Sequence, residues 1–291
     1  MKIENNNNIF CSVSSGYSSV MMAIMLPIWF PDHNIIYGMA NTSKERSESL
    51  HFMNECDKHY KLNIAWIEAE FHDKGIGVTP NIVTYENLKV NGEIFEEGIK
   101  KLGIPSKVNK WCTRDMKLEV LKKYADSIFG RNNYSVAVGL RTDEMDRVRK
   151  DYKENNIFYP LMDQGISQKE RNKFWKDQPI QITIPAFKGN CDMCFAKSNR
   201  KLMTILKEDP KKGFWWDSMI EKYGKITIEG KPSYNDLLEE NDGMTFYRGY
   251  NTIDDLVKLA EQPFRSATDE YIFESDLFDI EENCGSGCQV F

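Results

Sequence analysis

Two periods of hydrophobic patterning alternate over the first 70 residues. Ile9 to Val13 is an apolar run of strand length, followed by the small-residue bend Ser14-Ser15-Gly16-Tyr17-Ser18-Ser19. A helical pattern starts near Ser18 and is expected to be interrupted at Pro27, which lacks an N–H and crowds the preceding turn. Ile35 to Met39 reads as a second strand, Lys44 to Tyr60 as a polar helix and Asn63 to Ala69 as a third strand. Strand, helix, strand, helix, strand predicts a parallel sheet with helical crossovers. From 72 to 111, Gly75, Gly77, Pro80 and Pro105 predict loops, with a short helix near Phe95 to Leu102. Beyond Cys112 a helix is expected, with Thr113 as its cap, Asp115 at its positive end, and Leu118, Leu121 and Tyr124 on one face. Ser135 to Leu140 is strand-like and leads into a charged loop, Arg141 to Arg149. A helix from Ser167 to Trp175 follows, then a segment from Gly189 to Leu206 that carries a cysteine pair and a helix. Irregular and helical pieces are expected from Gly213 onward, without repeats or heptads. The fold class is α/β, a doubly wound parallel sheet with a helical and irregular C-terminal subdomain.

Composition narrows the classes without choosing among them. The 291 residues are 41% hydrophobic and 28% charged, which excludes a wholly disordered or collagenous chain. The longest nearly unbroken apolar run, Val20 to Phe30, contains Pro27 and falls short of the roughly 20 residues of a membrane span. Met1 to Asn8 is polar and Asn-rich, unlike a secretory leader, so the cytoplasm is the expected location. The net charge of −6 is uneven. The segment from Ser266 to the end holds Asp269, Glu270, Glu274, Asp276, Asp279, Glu281 and Glu282 with no Lys or Arg, leaving the body at +1. An anionic substrate, or even a nucleic acid, is therefore compatible with the body.

Seven cysteines in a reducing compartment point away from a disulfide framework. Cys11 and Cys56 stand alone in apolar segments and read as core. Cys112, the pair Cys191 and Cys194, and the pair Cys284 and Cys288 remain. A Cys-x-x-Cys pair offers two soft donors to zinc or to an iron–sulfur cluster, and Cys112 is a plausible third. The bend after the first strand places small residues and serine hydroxyls at a helix N-terminus, where backbone N–H groups attract phosphate. It equally suits a plain turn joining strand and helix. It is neither a Walker loop nor a dinucleotide fingerprint. Arg141 and Arg147, beyond a strand, suit bidentate clamping of phosphate or sulfate. Trp215-Trp216 and Phe214 read as packing rather than as a stacking platform.

Several of these segments resemble, in order, those of the phosphoadenosine phosphosulfate (PAPS) reductase family, in the PP-loop or adenine-nucleotide alpha-hydrolase-like (HUP) superfamily. Ser14 to Ser19 is similar to the PP-loop, with Ser15 in place of its second Gly and Ser18 in place of its Asp or Thr. Ala40-Asn41-Thr42 with Glu45 is similar to the Asn-Thr-Gly-x-Glu loop. Lys110 to Lys117 resembles the Arg-Trp-Cys-Thr-Arg-x-x-Lys segment, and Gly139 to Glu144 with Arg147 the Gly-x-Arg-x-Asp-Glu-x-x-Arg loop. Tyr159-Pro160-Leu161, Phe174-Trp175 and Gly189 to Cys194 continue the series, which covers roughly residues 9 to 220.

The resemblance implies a HUP-type sheet binding an adenine nucleotide through Ser14, Ser15, Gly16, Tyr17, Ser18, Ser19, Asn41, Thr42, Glu45 and Arg114. The nucleotide-binding domain is expected over 1–185 and a cysteine-containing subdomain with an acidic tail over 186–291. Cys112, Cys191, Cys194 and Cys288 are the expected ligands of a 4Fe-4S cluster, with zinc the alternative and unmetallated thiols a third reading; Cys284 stands beside Cys288 as an alternative fourth ligand. By the same resemblance Cys284 is a candidate nucleophile, with Arg141 and Arg147 as catalytic clamps. The implied function is sulfur chemistry on PAPS or adenylyl sulfate by thiol attack, releasing sulfite. Two alternatives stand beside it: an ATP pyrophosphatase, using ATP with Mg, that adenylates and thiolates a nucleic acid, and a nucleotide- or cluster-binding protein without turnover. Expected partners are a thioredoxin-like reductant or sulfur donor and a second copy of the chain. A nucleic acid is not specifically indicated, and no membrane is.

Overall fold

In the computed structural model, which describes residues 7–73, 77–107 and 109–268, β1 (Asn8–Ser12), β2 (Asn34–Asn41), β3 (Ala65–Phe71), β4 (Val78–Val83), β5 (Ser135–Ala137) and β6 (Ile157–Phe158) form one sheet in the order β4-β3-β2-β1-β5-β6. All neighbours are parallel except β3 and β4. Residues 269–291 lie outside the description, and with them Cys284, Cys288 and the acidic residues from Asp269 onward.

Side chains of β1 alternate between two buried clusters, as a strand covered on both faces requires. Ile9, Cys11 and Val13 enter one cluster with Val20, Met22 and Leu26 of helix α1 (Tyr17–Trp29) and Leu50, Phe52 and Met53 of α2 (Ser47–Tyr60). Phe10 enters the other, with Ile94, Phe95 and Ile99 of α3 (Glu93–Leu102) and Val120, Leu121 and Ala125 of α4 (Val120–Phe129). The second cluster also takes in Trp216 of a C-terminal helix and Phe246. The chain therefore winds outward from β1 to β3 on one side and returns to β5 on the other. The order reverses between β2 and β5, and open α/β sheets bind ligands beyond the strand ends at such a point.

Several elements differ from the sequence expectation. Pro27 lies inside α1, which runs on to Trp29. Proline there removes one hydrogen bond in the last turns, and the buried apolar face outweighs that loss. Val78–Val83 is a strand although Pro80 breaks its pattern. It is the sheet's antiparallel edge, where a missing N–H is tolerated. Strand β5 is shorter than expected, and β6 is a two-residue strand in a stretch for which the sequence predicted no element. The polar helix begins at Ser47, not Lys44, because Glu45 is drawn into a bridge with Cys191. Thr113 is no cap. It already has helical backbone within Trp111–Thr113, which continues as a π-helical segment, Arg114–Glu119, into α4.

Candidate functional site

The bend after β1 leads directly into α1. Gly16 has extended backbone and precedes the helix without any side-chain cap, leaving the first-turn N–H groups to other acceptors. A Cβ built on Gly16 would meet only the Ser14 Oγ, 4.0 Å away. Ser19 Oγ accepts from the Ser14 N–H (2.8 Å) and lies 3.3 Å from the Ser12 carbonyl, fixing the curvature. Ser18 Oγ accepts from Arg141 Nη1 at 2.8 Å, so a hydroxyl suffices at this position. Gly139 explains how the β5 end comes so close. Its Cβ would lie 3.0 Å from Ser19 Cα and 3.4 Å from the Ser18 carbonyl oxygen, both backbone atoms.

Around this bend sit three arginines and two carboxylates. Arg141 pairs with Asp143 at 3.0 Å and Glu144 at 3.1 Å, and Glu144 also binds Arg147. Burial draws the Asp143 pKa up, but Arg141 and backbone donors hold it below the usual value. Arg171, on α5 (Gln168–Lys176), was not anticipated. Its guanidinium lies 6.0 Å from the Tyr17 ring, and burial followed by repulsion from Arg141 lowers its pKa. Trp175, one turn along α5, stacks on Tyr17 at 4.7 Å and donates to the Tyr17 carbonyl at 3.0 Å. No pattern in the sequence tied Arg171 to the bend; the polar helix carrying it looked like a solvated face.

The loop after β2 supplies the next wall. Asn41 is fully buried and donates to Glu68 and to the Lys89 carbonyl, both at 2.8 Å, so it pins the loop rather than facing the cleft. Ser43, at the Gly position of the resembled motif, has φ of 64° and caps α3 from a distance. Its Oγ accepts from the Ile94 N–H at 3.1 Å. Glu45 is buried. Its carboxylate accepts from the Thr42 N–H and hydroxyl at 2.8 Å and lies 3.6 Å from Lys117 Nζ. Cys191 Sγ is 3.3 Å from the Thr42 hydroxyl and 3.8 Å from Glu45.

Two pockets result, and they share Lys117. One, about 300 Å³ including its open mouth, is lined by Ser14, Ser15, Ala40, Glu45, Lys117 and Asn190 among others. The other, about 380 Å³ on the same basis, is lined by Thr42, Phe95, Cys112, Lys117, Cys191, Cys194 and Trp216 among others. Cys112, Cys191 and Cys194 thus line one pocket, although Cys112 is far from the pair in sequence. Arg114 does not join them: it pairs with its neighbour Asp115 at 2.7 Å and is 57% exposed. Trp215 and Trp216 pack against Lys44 and Phe95, as the packing reading expected, whereas Phe214, included in that reading, is exposed. Cys11 and Cys56 are core, burial pushing the Cys56 thiol up to about 12.

The donor set can be tested against the expected groups. Among the described residues no three His, Cys, Asp or Glu side chains gather closely enough to hold a single ion. Cys112, Cys191 and Cys194 nevertheless line one partly apolar pocket, and thiols are the donor type an iron–sulfur cluster would take.

No family model matches the chain. It is similar to an uncharacterized nin region protein, ORF290, of Escherichia phage lambda, with 23% identity over 89% of this chain and 86% of that protein. It is also similar to an uncharacterized protein, MJ0066, of Methanocaldococcus jannaschii, with 22% identity over 75% of this chain but only 42% of the longer archaeal one. Among the described residues no helix is long and apolar enough to cross a membrane.

Proposed function

We propose that this protein is an adenine-nucleotide-dependent enzyme of sulfur chemistry, of the PAPS reductase type. The observation that carries the reading is the shared wall: Lys117 lines both the pocket under the phosphate-type bend and the pocket lined by Cys112, Cys191 and Cys194. An oxyanion seated at the α1 N-terminus would meet backbone N–H groups and the Arg141 and Arg171 guanidiniums, with the Lys117 ammonium at the boundary. The proposed reaction is attack of a thiolate on the sulfate sulfur. A sulfur–sulfur bond forms, the sulfur–oxygen bond to adenosine phosphate breaks, and the phosphate leaves as an oxyanion held by these cations. A thiol reductant then takes the thiol sulfur into a disulfide and releases sulfite. Cys284, the anticipated nucleophile, lies outside the described residues. Cys112, Cys191 and Cys194 would hold an iron–sulfur cluster, with the fourth position left to Cys288 or Cys284. When bound, the cluster would supply an electron-delocalising, sulfur-binding centre beside the nucleotide.

One observation favours a second reading. The three-cysteine pocket opens beside the phosphate site and the body of the chain is nearly neutral, which suits adenylation and thiolation of a nucleic acid by an ATP pyrophosphatase. Anaerobic protein incubated with excess thiol reductant and PAPS, adenylyl sulfate or ATP separates the two. Sulfite from either sulfonucleotide supports the reductase reading, pyrophosphate from ATP supports thiolation, and neither product from any of them contradicts both.

A further inference from the structure

The turn that carries Cys191 and Cys194 is held by three cationic side chains, each more than nine-tenths buried. Lys44, 8% exposed, places Nζ 3.2 Å from Asp192 Oδ2. Arg46, also 8% exposed, donates from Nε to the Lys188 carbonyl at 2.9 Å. Lys197, 2% exposed, donates from Nζ to the carbonyls of Phe187, at 3.2 Å, and Gly189. The backbone N–H of Lys197 also bonds the Cys194 carbonyl at 2.9 Å, so this one residue grips both ends of the turn.

Lys44 and Arg46 have carboxylates to balance them. Lys44 faces Asp192, whose other oxygen accepts from Trp216 Nε1 at 2.8 Å, and Arg46 has the Glu48 carboxylate within electrostatic reach. Among the described residues Lys197 bonds carbonyl oxygens and no carboxylate. Carbonyl dipoles solvate an ammonium but do not neutralise it. A buried cation without counter-charge costs several kcal/mol, so such groups are paired in stable proteins. The Glu45 carboxylate does not fill the gap, being committed to Lys117, Thr42 and the Cys191 thiol. The unmatched positive charge lies in the turn whose two cysteines open into the sulfur-lined pocket.

We infer that the cysteine pocket is built for an anionic, thiolate-bound occupant, and that Lys197 is its charge-compensating positioning residue. This rests on the cluster reading above. Thiolates around a four-iron, four-sulfide core form an anion, which is the counter-charge Lys197 lacks. Neutral unmetallated thiols would leave it uncompensated. Removing a buried positive charge disfavours the more negative reduced form, so it lowers the midpoint potential.

The test uses full-length protein reconstituted anaerobically with ferrous iron and sulfide, with iron, sulfide and midpoint potential measured for wild type, Lys197→Met and Lys197→Arg. The expected result is a loaded wild type, a folded Lys197→Met that loses most of its iron or titrates at a more negative potential, and Lys197→Arg close to wild type. A folded Lys197→Met with wild-type iron content and potential overturns the inference while leaving the cluster reading intact. So does a Lys197→Arg variant as defective as Lys197→Met, since charge would then not be the cause. A wild type that binds no iron and sulfide overturns the cluster reading itself. If Lys197→Met does not fold, Lys197→Gln removes the charge while keeping an N–H donor for the carbonyls, and is read by the same two criteria.

Discussion

Ser43 shows how a single residue can depart from a pattern and still keep its geometry. At φ of 64° it occupies the left-handed region, which costs a non-glycine residue on the order of 1 kcal/mol. Its hydroxyl returns that by accepting from the Ile94 N–H at the start of α3. Ser43→Ala keeps the strain and loses the cap, so chemical denaturation should show a loss of about 1–2 kcal/mol. Ser43→Gly loses the cap and relieves the strain, and should fall well short of that loss. Equal losses would contradict this division. Gly16 makes the complementary case: with open space where a Cβ would go, Gly16→Leu should melt within a few degrees of wild type. Calorimetry should then find its adenine-nucleotide binding gone, because the new side chain would stand in the cradle. Arg171→Gln should weaken binding on the order of tenfold at low salt and less as salt rises. An unchanged affinity would remove Arg171 from the site. The serines of the bend were legible in the sequence because strand, small residues and helix are adjacent. Arg171 was not, since only the folding of α5 onto Tyr17 brings it there.

Among the elements, the π-helical stretch from Arg114 to Glu119 has the clearest consequence. In an α-helix residues five apart point about 140° from one another. Wider winding brings Cys112 and Lys117 to one side, and both line the cysteine pocket. Deleting Asp115 should restore α-helical winding and leave the melting temperature unchanged or raised, while loss of iron and of nucleotide binding shows that the register served the site. A deletion variant that retains both would refute the assignment. Gly139 acts between elements: Gly139→Ala places a methyl against the backbone of Ser18 and Ser19, so about 1–3 kcal/mol of stability should be lost along with nucleotide affinity. The parallel core strands were readable because each is a short apolar run followed by turn residues. Strand β4 was hidden by Pro80, and the π segment leaves no trace in hydrophobic periodicity. Caps divide likewise: Ser167 caps α5 at the expected start of that helix, whereas Thr113 is absorbed into a helix.

Across the whole molecule the sheet order sets where chemistry can occur. The reversal beside β1 leaves a crevice at the strand ends, and the chain returns from the C-terminal side to close it with the Cys191–Cys194 turn. Lys44 to Arg46 receives that turn through a backbone bridge, an ion pair and a carbonyl contact. That Cys112 would share a pocket with the cysteine pair was suggested by donor chemistry and by resemblance, whereas the buried cations around that turn could not be anticipated at all, because Lys44, Arg46 and Lys197 look like ordinary surface residues in the sequence. The most direct measurement is the spectrum of anaerobically reconstituted protein before and after adding ATP, PAPS or adenylyl sulfate. Juxtaposition across Lys117 predicts iron–sulfur absorbance that at least one of these nucleotides perturbs, and loss of that perturbation in Lys117→Met with iron still bound. Iron-free protein, or a cluster spectrum indifferent to a nucleotide shown by calorimetry to be bound, would contradict it.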